Sequence, residues 1–491
     1  MNKGSRAFAT ALVSTMLAVT ALAGCGSSND KEHSANSNAA ANGAAANGNA
    51  GANGNAGAND NAAANDAAAN DAGASGTTDA AKLSGKVVFW SMWSNTEPQA
   101  KVIDEAVADF EAANPDVDVE VKYNGRDINK LIKPALESGE TIDVFEQDPG
   151  SALSNLKDHV LKLDDLLAQQ GIGSDGKTVK DSIIPSLLGW VKSLAVPAGL
   201  DEGYYAIPQQ PYAVLFFYNK ALFQKVGITA VPATWEEFLA DCELLKQAGI
   251  EPITFDDAYR DLFIGGYFGS AMGSDWTDGL VKDTTGELWK DPIVSQFAND
   301  MKLLEEKGYF SKKIAGNKYP AGQQDLALGK TAMYLNGTWL PNEIAATAGP
   351  DFQWGSFQFP DVSNGNGKGG RQGLSFGAQG LLINKNSKNV PAAFELLKYL
   401  VGKKAQEGMA SQAVAIPATV DSTWPAPLEE AKVAFQNAKS NMPWGFGIDN
   451  GGDFSTGTVI PVFMELATGK LAPDAYVTKM AAEAKKFYAG K

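Results

Sequence analysis

The sequence predicts an α/β fold built as two lobes, on three observations. Short apolar runs alternate with amphipathic helical patterns across residues 85–491, the order expected of strands and helices that cover one another. That stretch holds roughly 400 residues, more than a single hydrophobic core ordinarily serves. The residues before it have a composition that cannot build a core, so they stand outside the fold.

Taken in order, Lys3 and Arg6 precede an apolar run at residues 7–21, and Leu22-Ala23-Gly24-Cys25 follows. This reads as a secretory signal, because the run is short for a hydrocarbon core of about 30 Å. Leu-Ala-Gly-Cys also resembles the bacterial lipobox, which implies removal of residues 1–24 and acylation of Cys25. An ordinary signal with an incidental cysteine is the alternative. Residues 26–83 are almost wholly Ala, Asn, Gly, Ser and Asp, with no aromatic side chain. Such a segment is expected to be a disordered tether with a root-mean-square reach of roughly 40 Å.

Lys86-Val87-Val88-Phe89-Trp90 reads as a buried first strand. Ser94-Asn95-Thr96-Glu97 has the spacing of a capping box, and Ile103, Ala106, Val107 and Phe110 follow at helical intervals until Asn114-Pro115. Residues 117–121 alternate like a half-exposed strand, and residues 142–145 and 211–218 are further strands. A second capping box, Thr234 with Glu237, opens a helix that buries Trp235, Phe238, Leu239, Cys242 and Leu245 and ends at Gly249. Residues 251–255 return as a strand, and helices are expected at 294–307, 322–328, 391–401 and 474–488.

The formal net charge of −16 argues against nucleic-acid and basic membrane-surface roles. Apart from Cys25 the only cysteine is Cys242, and apart from His33 the only histidine is His159, read as a helix-end residue. A Ser–His–Asp triad or a multi-histidine metal site is therefore not expected, and neither is a cofactor. Gly329-Lys330-Thr331 is not a phosphate loop, since Gln324 stands where the motif needs glycine. Asp361-Val362-Ser363-Asn364-Gly365 lacks calcium-loop spacing.

Three separated stretches resemble the extracellular solute-binding proteins of sugar ABC transporters, the maltose-binding-protein-like family 1. The first runs from Tyr204-Tyr205-Ala206-Ile207-Pro208 through Tyr218-Asn219-Lys220-Ala221-Leu222-Phe223 to Val231-Pro232-Ala233-Thr234-Trp235-Glu236-Glu237. The second is Leu328-Gly329-Lys330-Thr331-Ala332-Met333 with Asn336-Gly337-Thr338-Trp339. The third is Gly380-Leu381-Leu382-Ile383-Asn384-Lys385 with Ala415-Ile416-Pro417-Ala418. The resemblance departs near residues 256–276 and 425–454. It implies a two-lobed, periplasmic-binding-protein-like (type II) α/β fold with hinge crossings, lobe 1 being about residues 85–205 and 373–412 and lobe 2 about 206–372 and 413–491. It further implies a lipid-anchored monomer outside the cell membrane that captures a carbohydrate, an oligosaccharide by preference, and delivers it to the permease subunits of an ABC importer, without catalysis. The alternatives are a secreted carbohydrate hydrolase using paired carboxylates, or the same fold serving a non-sugar ligand as importer or sensor partner.

A sugar site needs flat rings for C–H faces and amides or carboxylates for hydroxyls. Trp93 and Asn95 lie in the first loop after a strand, where α/β ligands bind, whereas Trp90 belongs to the core. Trp339 matches a sugar-stacking position that the resemblance implies. Trp444 sits in the loop Met442-Pro443-Trp444-Gly445-Phe446, and Trp235 has core spacing. The polar candidates are Gln147 and Asp148 after one strand, Gln209 and Tyr212 at the first crossing, and Asp256, Asp257 and Arg260 after another. Arg260 could hold an acidic sugar in bidentate geometry.

Overall fold

A computed structural model of the chain describes residues 82–362, 373–438 and 440–490. Cys25, the signal and the tether lie outside the described residues. Nine strands are found among those described: β1 (Gly85–Ser91), β2 (Val117–Tyr123), β3 (Val144–Gln147), β4 (Ile207–Asn219), β5 (Glu251–Thr254), β6 (Thr331–Gly337), β7 (Trp354–Phe357), β8 (Gly373–Ile383) and β9 (Ser440–Met442). Their order is β2-β1-β3-β8-β4-β6-β5, with β7 also on β4 and β9 on β8.

The long strand β4 organises the molecule. Residues 207–213 pair antiparallel with β8, and residues 214–219 pair antiparallel with β6 and β7. The register breaks between Pro208 and Gln210. Successive side chains of a strand face opposite sides. Leu215 and Phe217 accordingly enter one hydrophobic core, while Val214, Phe216 and Tyr218 enter a second. The first core also holds Phe89, Phe110, Phe145 and Leu382, and it takes Ile416, Trp424, Leu428 and Phe435 from beyond residue 412. The second holds Trp235, Phe263, Phe297, Met442, Phe446 and Tyr476. No helix among the described residues is long and apolar enough to cross a membrane.

Most expected elements are present, with instructive shifts. The Thr234 box forms: Glu237 N–H donates to Thr234 Oγ1 at 3.2 Å and Thr234 N–H to Glu237 Oε2 at 3.2 Å, opening the helix Trp235–Gln247. Its face buries Trp235, Phe238, Cys242 and Leu245, with Leu239 half-buried. The Ser94 box does not open a helix. The helix is Pro98–Ala113, and Glu97, its N-cap, has its carboxylate taken by Ser94 N–H at 2.6 Å and by Arg126 Nη2 at 2.8 Å. Proline suits a helix's first turn because it needs no N–H partner there, so Pro98 sets the start. Strand β3 begins two residues later than expected, and Asp143 before it still reaches β1, donating its N–H to Val88 O and accepting Val88 N–H on its carboxylate, each at 2.9 Å.

Candidate functional site

Where β4 passes from one core to the other, Tyr212 projects into a group of rings. Trp339 stands 5.8 Å from it and Trp444 6.2 Å, both edge-on, and the two indoles stack on each other at 5.7 Å and 21°. Tyr259 joins at 6.4 Å from Trp339. The Asn-Gly-Thr-Trp turn explains how Trp339 is held. Its indole lies flat on Gly337, where a Cβ would come within 2.2 Å of the ring, so no larger residue fits. Thr338 then ties the turn to β4, donating its N–H to Ala213 O at 3.0 Å and accepting Ala213 N–H at 3.2 Å. Gly377 of β8 clears space for the Tyr212 phenol in the same way, its Cβ falling 2.6 Å from the hydroxyl.

Polar groups surround these rings. Asn336 Nδ2 donates to Gln323 Oε1 at 3.3 Å, and Gln323 Nε2 donates to Glu343 Oε2 at 3.2 Å. Burial, reinforced by the nearby Glu343 carboxyl, pushes the pKa of the Tyr259 hydroxyl well up. Burial also raises the Glu343 carboxyl above its usual range. Asp148 is the N-cap of the helix Pro149–Leu156, accepting Ser151 N–H at 2.8 Å. It is raised by burial, and its charge reaches Tyr212, whose phenol is raised chiefly by burial. Trp444 Nε1 donates to Asp261 Oδ2 at 3.1 Å. Gln209 is fully buried, and neither of its amide atoms has a hydrogen-bond partner among the described residues.

The remaining candidates are placed differently. Asp256 is completely buried and committed to the protein, accepting Gly322 N–H at 2.7 Å, Gln323 N–H at 3.3 Å and the Tyr334 hydroxyl at 2.8 Å. It holds the start of the helix Ala321–Ala327 and thereby positions Gln323. Arg260 donates to Ile314 O at 3.2 Å, and its charge falls on Asp257, which itself binds Lys318 Nζ at 2.8 Å. Gln147 is buried and donates to Asn129 Oδ1 at 3.1 Å. Trp93 is buried in the first core, its indole N–H on Glu146 Oε1 at 2.8 Å and its face covered by Arg126 at 4.5 Å. Asn95 is exposed beside it. Burial raises Glu146 to about 7, against hydrogen bonds from Ser91, Trp93 and Met92. His159 ends a short 3-10 turn, as expected. No group of three or more His, Cys, Asp or Glu side chains among the described residues could hold a metal ion.

Of the expected residues, then, Tyr212, Trp339 and Trp444 come together, with Asp148 acting on the first. Sequence reasoning missed Tyr259, Gln323 and Glu343. The one signal available was Asn336, two residues before Thr338 in the motif that carries Trp339, since it leads to Gln323 and through it to Glu343.

Comparison with known proteins bears on this arrangement. The chain is 26% identical over 222 residues to the multiple sugar-binding protein of Streptococcus mutans, covering 42% of this chain and 50% of that one. It is 27% identical over 330 residues to the diacetylchitobiose binding protein DasA of Streptomyces coelicolor, covering 63% of this chain and 68% of that one. Matches of the first kind span about half the length of the curated relatives concerned. Among solved structures, a chitin oligosaccharide binding protein shares the fold with a TM-score of 0.60 at 22% identity, over 83% of this chain and 100% of that one. A family model described as bacterial extracellular solute-binding protein matches residues 93–407. That family is one of solute-binding proteins, which favours binding without catalysis over the hydrolase alternative. The two cores joined through β4, the sequence relatives and the family match agree, and the chain belongs to the bacterial extracellular solute-binding proteins.

Proposed function

We propose that this protein captures a carbohydrate between its two halves and hands it to the permease of an ABC importer. The observation that carries the reading is the group of Tyr212, Tyr259, Trp339 and Trp444 at the crossing, rimmed by Gln323, Glu343 and Asp148. Stacked rings supply flat apolar surface for sugar C–H faces, and the amide and carboxyl groups answer hydroxyls. The unpartnered amide of Gln209 is a further hydroxyl-binding candidate, because a buried amide is costly without partners. Relatives named for sugars and for diacetylchitobiose support the class. The ligand is neutral in this reading, since Arg260 gives its Nη2 to Ile314 O and the groups near the rings are carboxyls.

In this reading the two lobes are joined through β4 and its pairing with β8; the cores do not divide in the same way, since the first also takes Leu326, Tyr334, Leu340 and Ile344 from β6 and beside it. Ligand contacts to both lobes stabilise the closed form. Acylated Cys25 and the tether hold a monomer at the outer membrane face. The test is a thermal-shift screen of residues 85–491 against mono-, di- and oligosaccharides, with amino acids, peptides and anions as controls. A ligand at a hundred times its dissociation constant stabilises the folded state by about 2.7 kcal/mol. A shift confined to neutral sugars is the expected result. Shifts only from another ligand class would overturn the carbohydrate reading.

A further inference from the structure

The helix Arg260–Met272 has Asp261, Gly265 and Gly269 at four-residue spacing, which puts them on one face. The segment Trp444–Gly451 lies directly on that face. A Cβ on Gly265 would stand 1.8 Å from Gly445 O, and one on Gly269 would stand 2.8 Å from Phe446 Cβ. Gly445, Phe446 and Gly447 have φ of 58°, 54° and 98° in succession, a run that is unusual for a phenylalanine. Backbone packing therefore fixes where the segment lies. It does not fix how the Trp444 indole is turned, because that ring is half-buried and has rotamers of its own.

The turn of the ring is set from the remaining position on the helix face. Asp261 is 6% exposed, and its Oδ2 accepts the indole N–H at 3.1 Å. Among the described residues no ion pair includes this acid. Arg260, next in sequence, gives Nη2 to Ile314 O, Lys282 is paired with Asp278 and Lys318 with Asp257. A carboxyl taken out of water without a cation costs stability, and burial pushes Asp261 well above the ordinary aspartate range. An apolar residue of similar volume would cost the fold less. An indole N–H can only donate, so what Asp261 supplies is an acceptor at one fixed point on the helix. With its N–H held there, the Trp444 ring lies on Trp339 at 5.7 Å and 21°.

We propose that Asp261 is a positioning residue: it costs the fold stability, and its carboxyl turns the Trp444 indole into the stacked position against Trp339 from which the ring meets the ligand. The contact with sugar rests on the function proposed above, whereas the hold on the ring does not.

Three variants of the full chain separate this role from a structural one. Asp261→Leu keeps the bulk but offers no acceptor, Asp261→Asn keeps an acceptor without the acid, and Trp444→Phe removes the indole. Stacked indoles give a coupled near-ultraviolet circular dichroism signal, assigned to this pair by its loss in Trp444→Phe. Asp261→Leu should lose the same signal and yet melt at or above the wild-type temperature, a combination that a residue holding the fold together would not give. Asp261→Asn should keep the signal. For the neutral sugar that gives the largest shift in the thermal screen, Asp261→Leu should weaken binding about tenfold in the wild-type background and leave it unchanged in the Trp444→Phe background, because the two side chains act as one unit. An unchanged ring signal in Asp261→Leu, a variant that fails to fold or melts well below wild type, or an equal loss of affinity in both backgrounds would overturn the assignment. Absence of all sugar binding would overturn the proposed function alone, since the ring signal and the melting temperature are read without sugar.

Discussion

Trp235 and Trp339 show how the same side chain is put to two uses by its neighbours. Trp235 is buried between Phe238, at 5.1 Å, and Phe359, at 6.1 Å and nearly parallel, so it is core. Trp235→Ala should cost roughly 3–5 kcal/mol of stability. Trp339 lies half-buried over Gly337, so Trp339→Ala should leave the melting temperature nearer to wild type and weaken sugar binding by about 2 kcal/mol or more. Calorimetric titration and thermal melting of both variants separate the two roles; unchanged affinity in Trp339→Ala would remove the ring from the site. Glu146 makes a different kind of prediction. It is fully buried beneath Trp93, and burial lifts it from an ordinary 4.5 to about 7. The folded chain then keeps a proton that the unfolded chain gives up above pH 4.5, so this residue's contribution falls as pH rises toward 7. The full swing is roughly 3 kcal/mol by the usual conversion of pKa to free energy. Glu146→Gln cannot ionise, so its melting temperature should gain on the wild type between pH 5 and pH 8. A constant difference between the two would show that Glu146 titrates normally.

At the scale of elements, what was legible in the sequence was what is local. Thr234 and Glu237 are three residues apart, and their capping box is built from those two side chains alone. Ser94 and Glu97 have the same spacing, and the Glu97 carboxylate does accept Ser94 N–H while also binding Arg126, but Glu97 is itself the N-cap and the helix starts at Pro98. The helix Arg260–Met272 escaped notice because eleven of its residues are buried, which erases the apolar stripe that marks a surface helix. The site divides the same way. Trp339 and Trp444 stand out as tryptophans in Gly-containing turns, whereas Gln323 and Glu343 look like ordinary polar residues of short helices until β6 brings Asn336 beside them. Asp256 was misleading because the end of a strand is also where a carboxylate can fasten the next helix. Two glycines of neighbouring helices test whether close packing holds the Trp444 segment. Gly265→Ala would drive a methyl into Gly445 O and should destabilise by about 1–3 kcal/mol despite alanine's better helix propensity. Gly279→Ala, whose nearest neighbour would be Leu288 Cδ1 at 4.0 Å, should instead stabilise by roughly 0.5–1 kcal/mol. Equal chemical-denaturation midpoints for the two variants would refute the packing argument.

For the whole molecule the decisive question is where it bends, and the sequence of β4 answers it. Its first half contains Pro208 and Pro211, neither of which has an N–H to give to a ladder, and the register with β8 breaks between Pro208 and Gln210. The facing strand β8 carries Gly377 and Gly380, where Tyr212 and Pro149 occupy the Cβ positions, so neither residue adds a side chain of its own to fix the pairing. The second half of β4 is a different material. Val214, Leu215, Phe216, Phe217 and Tyr218 pair with β6, residues 216–219 also pair with β7, and both faces are packed into a core. Rotation of one lobe against the other therefore concentrates at residues 207–213, while residues 214–219 move as part of a rigid body. In hydrogen–deuterium exchange the peptide covering residues 207–213 should lose protection first, the one covering 214–219 should exchange only on global unfolding, and a bound sugar that closes the lobes should slow the former far more than the latter. Equal protection of the two halves in the ligand-free protein would mean that β4 is a rigid spine and that any closure arises elsewhere.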